Sequence, residues 1–164
     1  MRSPSALAIG AVLLVTAGCA SPPAFDEAHR VAIQDSIGVF LEAFRQYSAV
    51  GNWDALLGLY ADVPEFRWIE DGVVQYESVD AIRRAIAGLP EGTRIVTTHD
   101  DVTITPLVPG VAWASMRFAS MFLQPSGTGL AVTGAVTMAL KDGQDGWRIV
   151  GGHSSTSRSR DGAE

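Results

Sequence analysis

Three histidines, two adjacent carboxylates and one mid-strand cation are the side chains most open to chemical use. His153 closes the run Trp147-Arg148-Ile149-Val150-Gly151-Gly152-His153-Ser154-Ser155. Simple alternation puts it on the side of Trp147, Ile149, Gly151 and Ser155. An imidazole among apolar neighbours can give or take a proton near neutral pH. His153 is therefore the candidate catalytic acid or base, although no carboxylate in the sequence is an obvious orienter for it. A hydrogen-bonded structural role at a pocket rim is the alternative. Arg117, in Ala114-Ser115-Met116-Arg117-Phe118, suits an anionic ligand, solvent or a dimer contact. His99 precedes Asp100-Asp101 and reads as a solvated strand edge. Glu70 and Asp71 lead into an Asp-Gly turn, which commonly presents carboxylates to water.

Most of the aromatic residues read as core. Phe66 and Trp68 share strand parity and make a candidate pocket wall. Phe44, Tyr60, Phe66, Trp68, Trp113 and Arg117 are taken together as candidate ligand contacts. No Cys/His cluster has metal-ligand spacing, so no metal is expected. No G-x-S-x-G and no phosphate-cradling Gly loop occurs, and no cofactor is expected.

These groups must be held by elements whose signals are local. Ile33, Ile37, Phe40, Leu41, Phe44 and Ser48 recur at steps of three and four, the face of an amphipathic helix closed by Gly51. Asn52 caps a second helix with Trp53, Leu56, Leu57 and Tyr60 on its apolar side, ended by Pro64. Residues 65–69 alternate as a strand, Asp71-Gly72 turns, and residues 73–76 return. Ser78 caps a third helix over residues 79–87. Four longer strands follow, at residues 94–105, 111–123, 130–140 and 147–155, separated by stretches rich in Gly, Pro, Ser or Asp. Helices segregated from a meander predict an α+β domain, with the first helix covering a bent, mostly antiparallel sheet. Residues 156–164 read as a loose polar tail.

The start of the chain has a different logic. Met1-Arg2-Ser3 is positively charged, residues 6–15 are apolar, and Thr16-Ala17-Gly18-Cys19 ends in the single cysteine of the chain. This is the layout of a secretory signal, with an apolar run too short to span a bilayer. The small residues before Cys19 resemble a lipobox. That resemblance implies removal of residues 1–18 and lipidation of Cys19 with diacylglycerol and an amino-terminal acyl group such as palmitate. It also implies an exported, bacterial, membrane-anchored protein. Residues 19–29 read as lipidated Cys and tether, with Pro22-Pro23 favouring an extended spacer. Ala20, in place of Asp, points to the outer membrane if the organism has one. The formal net charge of −6 gives no cationic stripe and excludes nucleic acid as an expected partner.

The segment Phe44-Arg45-Gln46-Tyr47-Ser48-Ala49-Val50-Gly51-Asn52-Trp53-Asp54, continuing through Tyr60-Ala61-Asp62, resembles the opening of SnoaL-like proteins. Those proteins belong to the nuclear-transport-factor-2-like (NTF2-like) superfamily. Val79-Asp80-Ala81-Ile82-Arg83 is similar to the family's short third helix, and Trp147-Arg148-Ile149-Val150 with His153-Ser154-Ser155 to its closing strand. The resemblance covers residues 30–155. It implies three helices on a curved sheet of about six strands, a cone-shaped pocket and commonly a homodimer. Ketosteroid-isomerase chemistry on this fold needs an oxyanion-hole Tyr, a carboxylate base and a protonated acid. Aligned on Gly51, these positions fall at Phe44, Trp68 and Val136 or Thr137, which cannot do that work. The expectation is an envelope-anchored domain that binds a small, partly apolar ligand. The alternatives are an isomerase, cyclase or dehydratase using His153, and a non-catalytic dimeric interaction module. The apolar character of both sides of residues 111–123 supports the homodimer.

The anchor makes a direct prediction. The wild-type protein partitions with membranes, and Cys19→Ser leaves it soluble or as unprocessed precursor. Intact-mass analysis showing an unmodified Cys19 in the mature protein refutes this.

Overall fold

The computed structural model describes residues 25–127 and 129–157. Cys19 and the leader lie outside the described residues, as do residues 158–164. The first helix, α1 (Glu27–Val50), starts where the Asp26 carboxylate accepts the backbone N–H of His29 at 3.0 Å, satisfying one of the helix's free donors. It starts within the stretch read as tether. It ends at Gly51, whose φ of 72° closes the helix with a left-handed cap that a side chain would strain. Ile37, Phe40, Leu41 and Ser48 form its buried stripe.

The second helix, α2 (Trp53–Leu57), is capped by Asn52 as expected but is only 5 residues long. Tertiary bonding cuts it short. Leu59 accepts the N–H of Ile149 at 2.9 Å, and Ala61 donates to the Ile149 carbonyl at 2.8 Å. Tyr60 is thereby drawn alongside the last strand rather than into a helix. Two short strands follow, β1 (Arg67–Glu70) and β2 (Val73–Tyr76), joined through Asp71-Gly72 with both residues at positive φ. The third helix, α3 (Val79–Ala87), has Ser78 as its cap, accepting the Ala81 N–H.

Four long strands complete the chain: β3 (Arg94–Val108), β4 (Val111–Leu123), β5 (Gly129–Gly143) and β6 (Gly146–Ser157). The sheet order is β2-β1-β6-β5-β4-β3. Every pairing is antiparallel except β1 with β6. β3 continues through Pro106, which is tolerated because β3 is an edge strand. The Pro106 carbonyl accepts Arg30 at 3.1 Å and the Ile104 carbonyl accepts Gln34 at 3.0 Å, binding α1 along this edge. The architecture is the expected α+β cone, three helices on a curved six-stranded sheet.

The inner face of the sheet carries the core. Ala112, Ala114 and Met116 of β4, Val136, Met138 and Leu140 of β5, and Trp147 and Ile149 of β6 are buried against α1 and the chain around Leu57 and Phe66. Trp147 donates its indole N–H to Ser36 Oγ of α1 at 2.9 Å, so its polar edge is paired inside the core. Along β6 the alternation breaks once. Leu140 pairs with Ile149 but Ala139 pairs with Gly151, leaving Val150 as an extra residue, a β-bulge. Beyond it Gly152 and Ser154 lie opposite the inward residues Met138 and Val136.

Candidate functional site: an aromatic cavity under the first helix

Sheet curvature leaves a cavity of ≈ 250 Å³ between the inner face, the C-terminal half of α1 and α3. Phe44 and Ser48 enter it from α1, Trp53 and Leu56 from α2, and Ile82 and Ile86 from α3. Its aromatic wall is built by edge contacts. Tyr60 meets Phe44 at 6.2 Å, Phe66 at 5.9 Å and Trp68 at 6.4 Å between ring centroids, each in a T-shaped arrangement that favours ring quadrupoles.

Two glycines make room for this wall. A Cβ at Gly152 would lie 2.5 Å from Trp68 Cζ3 and 2.7 Å from the Thr137 carbonyl, so the indole covers bare backbone there. A Cβ at Gly134 would collide with the Ser155 carbonyl and sit 2.9 Å from Phe118 Cζ. Each large ring is matched by a missing side chain on the neighbouring strand.

The polar groups lining the cavity are few. Glu70 follows Trp68 by two on β1, and both share the inward side because they pair with Ser154 and Gly152 of β6. His99 enters from β3, next to the Thr97–Ser120 hydroxyl pair, whose oxygens are 2.8 Å apart. Burial lowers the His99 pKa from the ordinary imidazole value. The Arg45 guanidinium of α1 pushes it the same way, and Glu42 partly opposes. Burial raises the Tyr60 hydroxyl well above the ordinary phenol range, with Tyr76 adding to it, so Tyr60 stays protonated. Burial also raises Tyr76, and the Glu70 charge contributes.

The sequence-derived site residues divide between two faces. Phe44, Tyr60 and Trp68 line the cavity. Phe66 lies behind it, wholly buried against Tyr60. Trp113, Arg117 and His153 are exposed on the outer face of the sheet and do not converge with Trp68. For His153 the cause is the Val150 bulge, which reverses strand parity after Ile149. Arg117 pairs with Asp101 at 2.8 Å, both largely exposed. An open concavity of ≈ 510 Å³ runs beside Arg117, but apart from Phe118 it is lined by small and polar residues and offers little apolar contact.

His99, read from the sequence as a solvated strand edge, and Glu70, read as a solvent-facing carboxylate, both line the cavity instead. His99 shares the parity of Ile95 and Thr97, both cavity residues, and that signal was available. Asp71 did turn outward as expected. Its carboxylate accepts the backbone N–H of Thr156 at 2.7 Å and the Thr156 hydroxyl at 2.5 Å.

Comparison with known proteins agrees with this architecture. The model of the SnoaL-like domain matches residues 37–159. An NTF2-like protein of unknown function from Shewanella oneidensis superposes with a TM-score of 0.58 at 21% identity, covering 75% of this chain and 98% of its own. A candidate dehydratase of the NTF2-like family from Streptomyces avermitilis gives 0.66 at 15% identity, covering 79% and 99%. The association domain of the C. elegans calcium/calmodulin-dependent protein kinase II gives 0.62 at 14% identity, covering 79% and 99%. At these identities the likeness shows the fold alone. No curated protein sequence matches the chain.

The electrostatics of His99 predict a pH effect with a definite sign. A histidine whose folded pKa is lowered binds fewer protons folded than unfolded, so stability falls as pH drops through the unfolded value, about 6.5. Urea unfolding between pH 7.5 and 5.5 is expected to show this loss, reduced in His99→Gln. NMR titration is expected to find Arg45→Gln raising the His99 pKa. An unchanged pKa in that variant contradicts the assigned cause.

Proposed function

The chain belongs to the SnoaL-like domain family, and on that footing we propose that its domain holds a small, partly apolar ligand in the cavity beneath α1 while the protein is anchored to the cell envelope at Cys19. The cavity carries this reading. It has a wall of Phe44, Trp53, Tyr60, Trp68 and Phe118, with polar groups confined to a few positions. That combination suits a flat or amphipathic molecule, whose rings pack on aromatic faces while one or two polar atoms set orientation. The positions that ketosteroid-isomerase chemistry would need hold Phe44 and Trp68, so binding is favoured over that reaction.

Catalysis is the second reading, and it now rests on His99. An imidazole held neutral inside the cavity can accept a proton from a bound ligand. His153 no longer supports it, because its outer position keeps it from this cavity.

The outer face supports a homodimer. Trp113, Met121 and Val96 are 45%, 40% and 43% exposed, and Ala119, Ala131 and Ala135 lie exposed among them. Large apolar side chains over a broad, small-residue strand surface favour a second sheet laid on top.

Two measurements test these proposals. A thermal-shift series of ring ketones, lipophilic carboxylates and amphipathic amines is expected to contain a stabilising member. At a hundred times its Kd a ligand adds about 2.7 kcal/mol, on the order of 10 °C in Tm for a domain of this size. Ser120→Phe, which fills the cavity, is expected to abolish that shift while leaving circular dichroism unchanged. A series with no stabiliser for the folded wild type removes the small-molecule reading. Light scattering is expected to give a dimer mass at micromolar concentration, and Ala135→Glu to give a monomer. A monomeric wild type refutes the sheet-to-sheet dimer.

A further inference from the structure

We propose that the cavity selects an organic ammonium, with the cationic head seated between Glu70 and Trp68 and a hydrogen-bonding group at the far end meeting His99. This rests on the ligand-binding reading above and adds the charge of the ligand.

The first ground is the inventory of charge. Glu70 is the acidic residue among those lining the cavity, and no Lys or Arg lines it. Glu70 forms no ion pair among the described residues, although all six ion pairs found there join exposed or half-exposed groups nearby in sequence or space. A carboxylate ligand would bring a second negative charge against Glu70 with no cation to balance it. An ammonium ligand would supply the missing countercharge.

The second ground is what surrounds that carboxylate. Trp68 is its inward neighbour on β1, and Tyr76 pairs across from Trp68 on β2, where the Glu70 charge helps raise its pKa. Tyr60 stands edge-on to Trp68. Aromatic faces beside a carboxylate are the surroundings that attract an alkylated ammonium, because the ring quadrupole adds to the ionic attraction and the methyl groups bury on the rings.

The third ground is polarity from end to end. β1 and β3 stand four strands apart in the sheet order, and their side chains meet one cavity only because the sheet curves. At the β3 end, His99 has Arg45 of α1 near it, offset in part by Glu42, which lies 3.5 Å from the Arg45 guanidinium. Arg45 Nε is buried and has no hydrogen-bond partner among the described residues. A cation is disfavoured at that end and favoured at Glu70, which orients the ligand along the cavity. His99 and the Thr97–Ser120 hydroxyls remain to meet a carbonyl or hydroxyl.

The test uses the full chain at pH 7.5 and three probes of like shape: benzyltrimethylammonium, its uncharged isostere neopentylbenzene, and phenylacetate. Ligand-observed NMR with competition gives the affinities. Benzyltrimethylammonium is expected to bind about tenfold more tightly than neopentylbenzene, and phenylacetate more weakly than either. Glu70→Gln is expected to bring the cation and the isostere within about twofold of each other, with the isostere's affinity unchanged. Equal affinities in the wild type, or a preference for phenylacetate, overturn charge selection and leave the ligand-binding reading intact. A cation preference that survives Glu70→Gln overturns the role of Glu70. No binding by any probe to the folded wild type overturns the ammonium proposal, while the broader reading is decided separately by the thermal-shift series.

Discussion

Val150 has no partner opposite it on β5, and much of the interior depends on that single unmatched residue. Before it, β6 sends Trp147 and Ile149 into the core. After it, the inward positions are Gly152 and Ser154. Without the extra residue, Gly151 and His153 would face inward, placing an imidazole opposite Val136, on the cavity side that Glu70 shares. The bulge also strengthens local twist, which helps a sheet of long strands curl. The backbone of Ile149 is engaged beside it by Leu59 and Ala61, so the chain after α2 is bonded to the strand just before its phase changes.

The cavity then follows from substitutions of bulk between neighbouring strands. Trp68 lies where Gly152 has no side chain, and Phe118 where Gly134 has none. The rings reach across strands instead of standing clear of them, and the space they leave lies beneath α1. Packing of this kind tolerates little change, since an added methyl group at either glycine has nowhere to go without moving a ring or a carbonyl. The few polar groups in the cavity are consequently held on strands rather than on loops, and a site on strands keeps its geometry.

Signals carried by neighbouring residues were legible in the sequence. The caps Asn52 and Ser78, the closing Gly51 and the Asp71-Gly72 turn all act within a few residues, and the structure uses each of them. Element order and the helix-on-sheet class follow from them. What the sequence hid was tertiary. The early end of α2 depends on Ile149, some ninety residues away, and no local pattern marks it. The reversal at Val150 appears only once β5 is aligned against β6. His153 was misplaced for that reason. Arg117 and Trp113 were placed on strands correctly, but one strand cannot say which of its sides faces a helix. His99 differs, because its parity with Ile95 and Thr97 was readable and the following Asp100-Asp101 obscured it. Asp101 has a φ of 51° and sits in an irregular stretch of β3, so those carboxylates do not describe the side that His99 takes.

The start of α1 at Glu27 bears on how an anchored molecule would stand. Seven residues lie between Cys19 and Glu27. Fully extended they span on the order of 25 Å, whereas the 24 residues of α1 make a rod about 36 Å long. A lipid at Cys19 would therefore act as a leash shorter than the helix it leads into. That end of α1 shares a surface concavity with Pro109, Gly110 and Trp147, whereas Phe44 and Ser48, toward its other end, border the cavity. On the anchored reading proposed above, the tether would enter the domain at the end of α1 that lies away from the cavity.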